Sequence, residues 1–180
     1  MMENLRLSLT DLLGADYTRA VCESRALLTG ESPEALRALA DEKIDWYPEA
    51  FARRQEELME RVGCRVTDGF ANSEAGAPTD SYRSAQHSGA APLSALGAFR
   101  VGEDGRLYFT GKSEHYQIPL GHSFPGYALI DRARALGVPN ATHNNTRGFI
   151  TRTLERRLIA AANGLAPGNP ALEGVIASRE

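Results

Sequence analysis

Residues Gly97–Gly111 read GAFRVGEDGRLYFTG. Phe99 and Val101 flank Arg100, Leu107 and Phe109 flank Tyr108, and Gly-Glu-Asp-Gly lies between the two runs. Period-two alternation on both sides of a glycine-bearing turn is the pattern of a β-hairpin, with Gly105 suited to a positive-φ position. This stretch decides the fold class, because the periodic segments on either side of it follow a helical spacing. The chain reads as α+β and mostly helical: an N-terminal helical region, a long Gly/Ala/Ser-rich loop, one β-hairpin and two C-terminal helices.

Toward the N-terminus, residues 63–97 are rich in Gly, Ala and Ser and poor in large apolar side chains. Such a stretch buries too little surface to offset its own ordering entropy, so it reads as a flexible loop or linker. Phe70, Tyr82 and Leu93 are the residues that would fasten it to a larger body. Residues 1–62 form a helical extension. Leu9, Leu12, Leu13, Tyr17, Ala20, Val21 and Leu28 predict one helix, capped by Ser8 or Thr10 and ended by Gly30. Ser32 followed by Pro33 and Glu34 starts a second helix. A third runs from Pro48 to Gly63, with Phe51, Leu58 and Val62 as its thin apolar stripe.

Toward the C-terminus, residues 98–180 carry the hairpin, an irregular stretch, and then the turn LGHSFPG at Leu120–Gly126. A helix follows, patterned by Tyr127, Leu129, Ile130, Ala133 and Leu136 and stopped by Gly137. After the polar segment THNNTRG, Phe149, Ile150, Leu154, Leu158 and Ile159 mark a last helix that Gly164 ends. Val175 and Ile176 read as the start of a strand or a short helix.

Composition narrows the chemistry. A net charge of −3 and 42% hydrophobic residues give no general attraction to nucleic acid or anionic membrane, so neither is an expected partner. No apolar run nears the length of a membrane span, and the first residues lack the pattern of a secretory signal. Cys22 and Cys64, far apart and outside any C-x-x-C pattern, read as reduced thiols of a cytoplasmic protein. The chain has two lysines, Lys43 and Lys112, so Schiff-base chemistry has two candidate amines at most.

Two polar turns could carry a site. His122 lies between Gly121 and Pro125 at a helix entrance, where free amides favour an anion; the ring either bonds its own turn or meets a ligand. His143, Asn144 and Arg147 crowd a second helix entrance, either as caps or as contacts to a polar ligand or a second copy. The spacing of His115, His122 and His143, with Glu114 and Asp131, is too long and irregular for an expected metal site. Arg147, Arg152, Arg156 and Arg157, interrupted by Glu155, read as a solvated face with ion pairs. No G-x-S-x-G elbow and no phosphate loop appears.

The order of Asp104, Gly105, Tyr108 and Phe109, then Leu120, Gly121, His122 and Pro125, then an amphipathic helix, resembles the N-terminal part of class III pyridoxal-phosphate aminotransferases. The chain departs from the family pattern at Thr110, where an aspartate usually stands. The resemblance implies an N-terminal, small-domain segment of a homodimeric enzyme acting on an amino acid or other amine, truncated before the cofactor-binding domain. It implies pyridoxal phosphate in the complete enzyme, none held covalently by this chain, and the remainder of the enzyme as partner. Gly121, His122, His143, Asn144 and Arg147 would then line the substrate entrance. The alternatives are a stand-alone small-molecule binding or protein-interaction module, and a small hydrolase using His122 and His143.

Overall fold

The structure, a computed structural model, describes residues 4–70, 79–85, 88–110, 120–139, 148–166 and 168–178. It is α+β: among the described residues eight helices stand with one two-stranded and one three-stranded antiparallel sheet. The order begins β1 (Arg6–Leu7), α1 (Leu9–Leu13), α2 (Ala15–Thr29), α3 (Pro33–Asp41), β2 (Ile44–Asp45) and α4 (Glu49–Met59). It continues α5 (Asp80–Ala85), β3 (Pro92–Leu96), β4 (Phe99–Gly102), β5 (Leu107–Phe109), α6 (Ala128–Ala135), α7 (Phe149–Ala162) and α8 (Ala171–Ala177). Two compact units are formed: Met1–Leu7 with Lys43–Ile130, here the sheet unit, and Ser8–Glu42 with Asp131–Glu180, here the helical unit.

In the helical unit the start of α1 is set by Ser8. Its hydroxyl oxygen accepts from the Asp11 amide at 3.1 Å, while an Asp11 carboxylate oxygen accepts from the Ser8 amide at 2.7 Å. This reciprocal capping box satisfies two amides that the helix itself leaves unpaired. Ser8→Ala is expected to lower stability by about 1 kcal/mol, measured by chemical denaturation followed by circular dichroism. The helix expected to run unbroken to Gly30 is divided at Gly14, whose φ of 86° and ψ of 151° are not helical. Apolar spacing continues across the break, which hid it in the sequence. Ser32 caps α3 through the Ala35 amide at 3.3 Å, with Pro33 in its first turn.

Among the described residues of this unit, Leu9, Cys22, Leu36, Ala40, Leu136, Ala160 and Leu172 are the buried hydrophobic ones. Tyr17 stacks on Phe149 with centroids 4.8 Å apart, and Arg157 donates to the Leu12 carbonyl at 3.1 Å. Arg132 pairs with Glu42 at 2.7 Å, and Arg156 pairs with Glu173 of α8. The segment bearing Val175 and Ile176 is thus a helix, one of the two outcomes its sequence allowed.

In the sheet unit β1 and β2 pair antiparallel, and Asn4 locks the pair by donating to Asp45 at 2.9 Å and accepting from the Tyr47 amide at 2.9 Å. The three-stranded sheet has the order β3-β4-β5, with Phe99 opposite Phe109 and Val101 opposite Leu107. Phe99 and Leu107 pack with Leu58 of α4, flanked by Val66, Leu96, Ala98 and Val101. The hairpin read from the sequence is therefore β4–β5, and β3 adds a third strand within the Gly/Ala/Ser-rich stretch. The register shifts between Pro92 and Ser94, so Leu93 and Leu96 fall out of period-two spacing and the strand leaves no clear pattern. Residues 63–70 run along the turn between β4 and β5: Val66 donates to the Gly105 carbonyl at 2.8 Å and Phe70 to the Glu103 carbonyl at 2.6 Å.

Asp104 closes that turn. Its carboxylate accepts from the Arg106 amide at 2.9 Å and from the Tyr108 hydroxyl at 2.8 Å. These bonds, the Arg106 amide first, hold the carboxyl below the usual carboxylate range. A carboxyl whose folded pKa is lowered stabilises the fold above its unfolded pKa, and that contribution is lost as pH falls through the folded value. The hairpin is expected to loosen on acidification, and in Asp104→Asn that acid-dependent part should disappear. An NMR titration of the amides of Arg106 and Tyr108 measures both.

Candidate functional site

The turn Leu120–Gly126 belongs to the sheet unit, and its near side is fastened by backbone pairing. The His122 amide donates to the Gly97 carbonyl at 2.9 Å, and the His122 carbonyl accepts from the Gly97 amide at 2.6 Å. This antiparallel bridge docks the turn on the link between β3 and β4. Glycine is required on both sides of it. Gly121 has φ +89°, and a Cβ there would lie 2.6 Å from the Gly97 carbonyl carbon and oxygen. Gly97 has φ +58°, and a Cβ there would lie 1.9 Å from Oε1 of Gln55. That same oxygen accepts from the Ala98 amide at 3.1 Å, so α4 holds the strand link from below.

The next two residues fix the turn's far side. Ser123 is exposed and has φ 50°, the one non-glycine residue with positive φ among the described residues. Phe124 is buried, with ring centroids 5.1 Å from Trp46, 5.5 Å from Tyr127 and 6.0 Å from Phe51. Gly126 is buried against the Trp46 ring, where a Cβ would come within 2.4 Å of Cε3. Pro125–Tyr127 form a single 3-10 turn that leads into α6. The Tyr127 hydroxyl accepts from the Leu120 amide at 3.3 Å and closes the loop.

His122 is half buried at this anchored crest, beside the exposed Ser123. The backbone that carries this imidazole is therefore held in place by the bridge to Gly97. His143, Asn144 and Arg147 lie outside the described residues, as do Lys112, His115 and Glu114. Gln55, Gly97 and Trp46 position the turn and were not singled out from sequence. Gln55 did carry a signal: it sits between Phe51 and Leu58 on the apolar stripe of α4, a polar residue on a face that packs inward.

Among the described residues no group of three or more His, Cys, Asp or Glu is placed to hold a metal ion, and no helix is long and apolar enough to cross a membrane. Comparison with protein-family models, curated proteins and solved structures finds no match to this chain.

Proposed function

We propose that this chain is an N-terminal segment of a pyridoxal-phosphate-dependent, aminotransferase-like enzyme that acts on an amino acid or other amine. In this reading it shapes the mouth of the active site and part of a dimer interface, and does not catalyse alone. One observation carries the reading: the Gly121–His122 turn is clamped onto the sheet by the Gly97 bridge and leads directly into α6, an order that matches the resemblance in the sequence. Exposed apolar surface adds support. Among the described residues twelve hydrophobic residues are buried, three of them the small Cys22, Ala40 and Ala160, against fourteen large ones that are exposed. A chain that exposes more large apolar side chains than it buries is suited to lie against further protein. Both cysteines are free, in keeping with the cytoplasm as the compartment of that enzyme.

The described residues do not fit the imine-forming part of a pyridoxal phosphate site. Lys43 is their one lysine; it is exposed, and it does not line the cavity described below. In this reading the cofactor is held by other residues, and His122 acts on the substrate side of the site.

The test is amino transfer by the complete gene product, purified with pyridoxal phosphate and offered a panel of amines with a 2-oxo acid acceptor. Transfer by the complete product and none by residues 1–180 is the expected result. His122→Ala is expected to raise KM for the amine by about tenfold, the size of one lost charge-assisted hydrogen bond, with a smaller change in kcat. A complete product with neither imine absorbance nor amino transfer rules the reading out.

A further inference from the structure

The helical unit contains a cavity of about 410 Å³ lined by α1, α2 and α3, within the range of about 300–1,000 Å³ usual for small-molecule sites. Its lining includes Cys22, which has no exposed surface, and Ala40, which is 2% exposed. Thr10 and Thr18 add hydroxyls 3.3 Å apart. The unusual feature is the pair Arg37 and Asp41, one helical turn apart on α3 and both on the lining.

Opposite charges at that spacing commonly pair along a helix. Here they do not. Asp41 instead accepts from the Thr10 hydroxyl at 2.6 Å, and Arg37 lies within electrostatic reach of both Cys22 and Glu34. Both charges nonetheless act on the same floor atom. Burial raises the Cys22 thiol pKa; Arg37 opposes that shift and Asp41 adds to it. The neighbouring Asp16 and Arg19, by contrast, satisfy each other at 3.1 Å.

We propose that this groove binds a small zwitterion of the class of a free α-amino acid, its carboxylate on Arg37 and its ammonium on Asp41. A guanidinium offers a carboxylate two parallel donors. A plain anion would meet the Asp41 charge and a plain cation the Arg37 charge, whereas one molecule bearing both groups bridges the gap that the side chains leave open. The small floor residues leave room for a ligand side chain. This site is independent of the aminotransferase reading, and it would persist if that reading failed.

The experiment is an NMR titration of the isotope-labelled 180-residue chain with an equimolar mixture of the common amino acids, then with each singly. Saturable shifts are expected at the amides of Thr18, Cys22 and Ala40. Acetate alone and methylammonium alone are expected to bind more weakly by about tenfold or more, since each keeps only one charge-assisted contact. Arg37→Gln, at an exposed position that leaves the core untouched, is expected to weaken amino-acid binding by a similar factor with the rest of the spectrum unchanged. Absence of saturable shifts at those amides, equal binding of acetate, or undiminished binding by Arg37→Gln would each overturn the proposal.

Discussion

Phe124→Ala is expected to destabilise the sheet unit by about 3–5 kcal/mol, the range for deleting a buried phenylalanine side chain. The ring is 3% exposed and meets four others, with Tyr47 at 6.2 Å completing the set of Trp46, Phe51 and Tyr127. Most of these contacts are edge-to-face, a geometry that adds about 0.5–1.5 kcal/mol per pair beyond the buried area. The space left cannot close easily, because Gly126 already lies against Trp46 and has no side chain to move in. Trp46 is the only tryptophan in the chain, so its emission reports this unit alone. The emission of Phe124→Ala should shift to the red in native buffer, and its denaturation midpoint should fall well below that of the parent. Phe124→Leu, which keeps most of the volume, should recover at least half of the loss. An unchanged midpoint for the alanine variant would mean that the aromatic group does not organise the turn.

The parts of the fold that were legible in the sequence are those specified by local chemistry. Ser32 followed by Pro33 marks a helix start through one side-chain acceptor and one missing amide, both readable without tertiary context. Phe99, Val101 and Leu107 alternate because they share the face of β4–β5 that packs on Leu58, and the half-exposed Phe109 extends that face by meeting the Phe99 ring. Where the signal was absent, the cause was a local irregularity or a distant partner. β3 is held by pairing to β4 across a register shift, so its own residues say little. Gly14 interrupts a run of leucines whose spacing continues past it, and only its backbone angles reveal two helices. His122 is the instructive case. The sequence drew attention to an imidazole, whereas its amide and carbonyl do the docking, onto a glycine 25 positions away in the chain. Backbone pairing of that kind has no residue signature beyond the glycines that permit it.

That dependence makes Gly121→Ala the sharpest test of the site. An L-residue at φ +89° sits in a sparsely populated region, at a cost of about 1–3 kcal/mol. The added Cβ also falls 2.6 Å from the Gly97 backbone, a contact that no rotamer change relieves. Gly97 cannot retreat freely, because the Gln55 amide lies on its other side and bonds Ala98. The turn must lift, and the two bonds between Gly97 and His122 go with it, each contributing about 0.5–1.5 kcal/mol. Once the turn lifts and the strain is relieved, loss of the two bonds is expected to cost about 1–3 kcal/mol. Hydrogen exchange at the amides of Gly97 and His122 measures this directly, and protection at both should fall together. Ser123→Gly, two residues on, supplies the control: there a residue at φ 50° is replaced by one that tolerates it, so protection should hold or rise. If both variants loosened the turn alike, mere disturbance of the loop would account for the effect. Opposite outcomes would show that the geometry at Gly121 is what holds His122 in place.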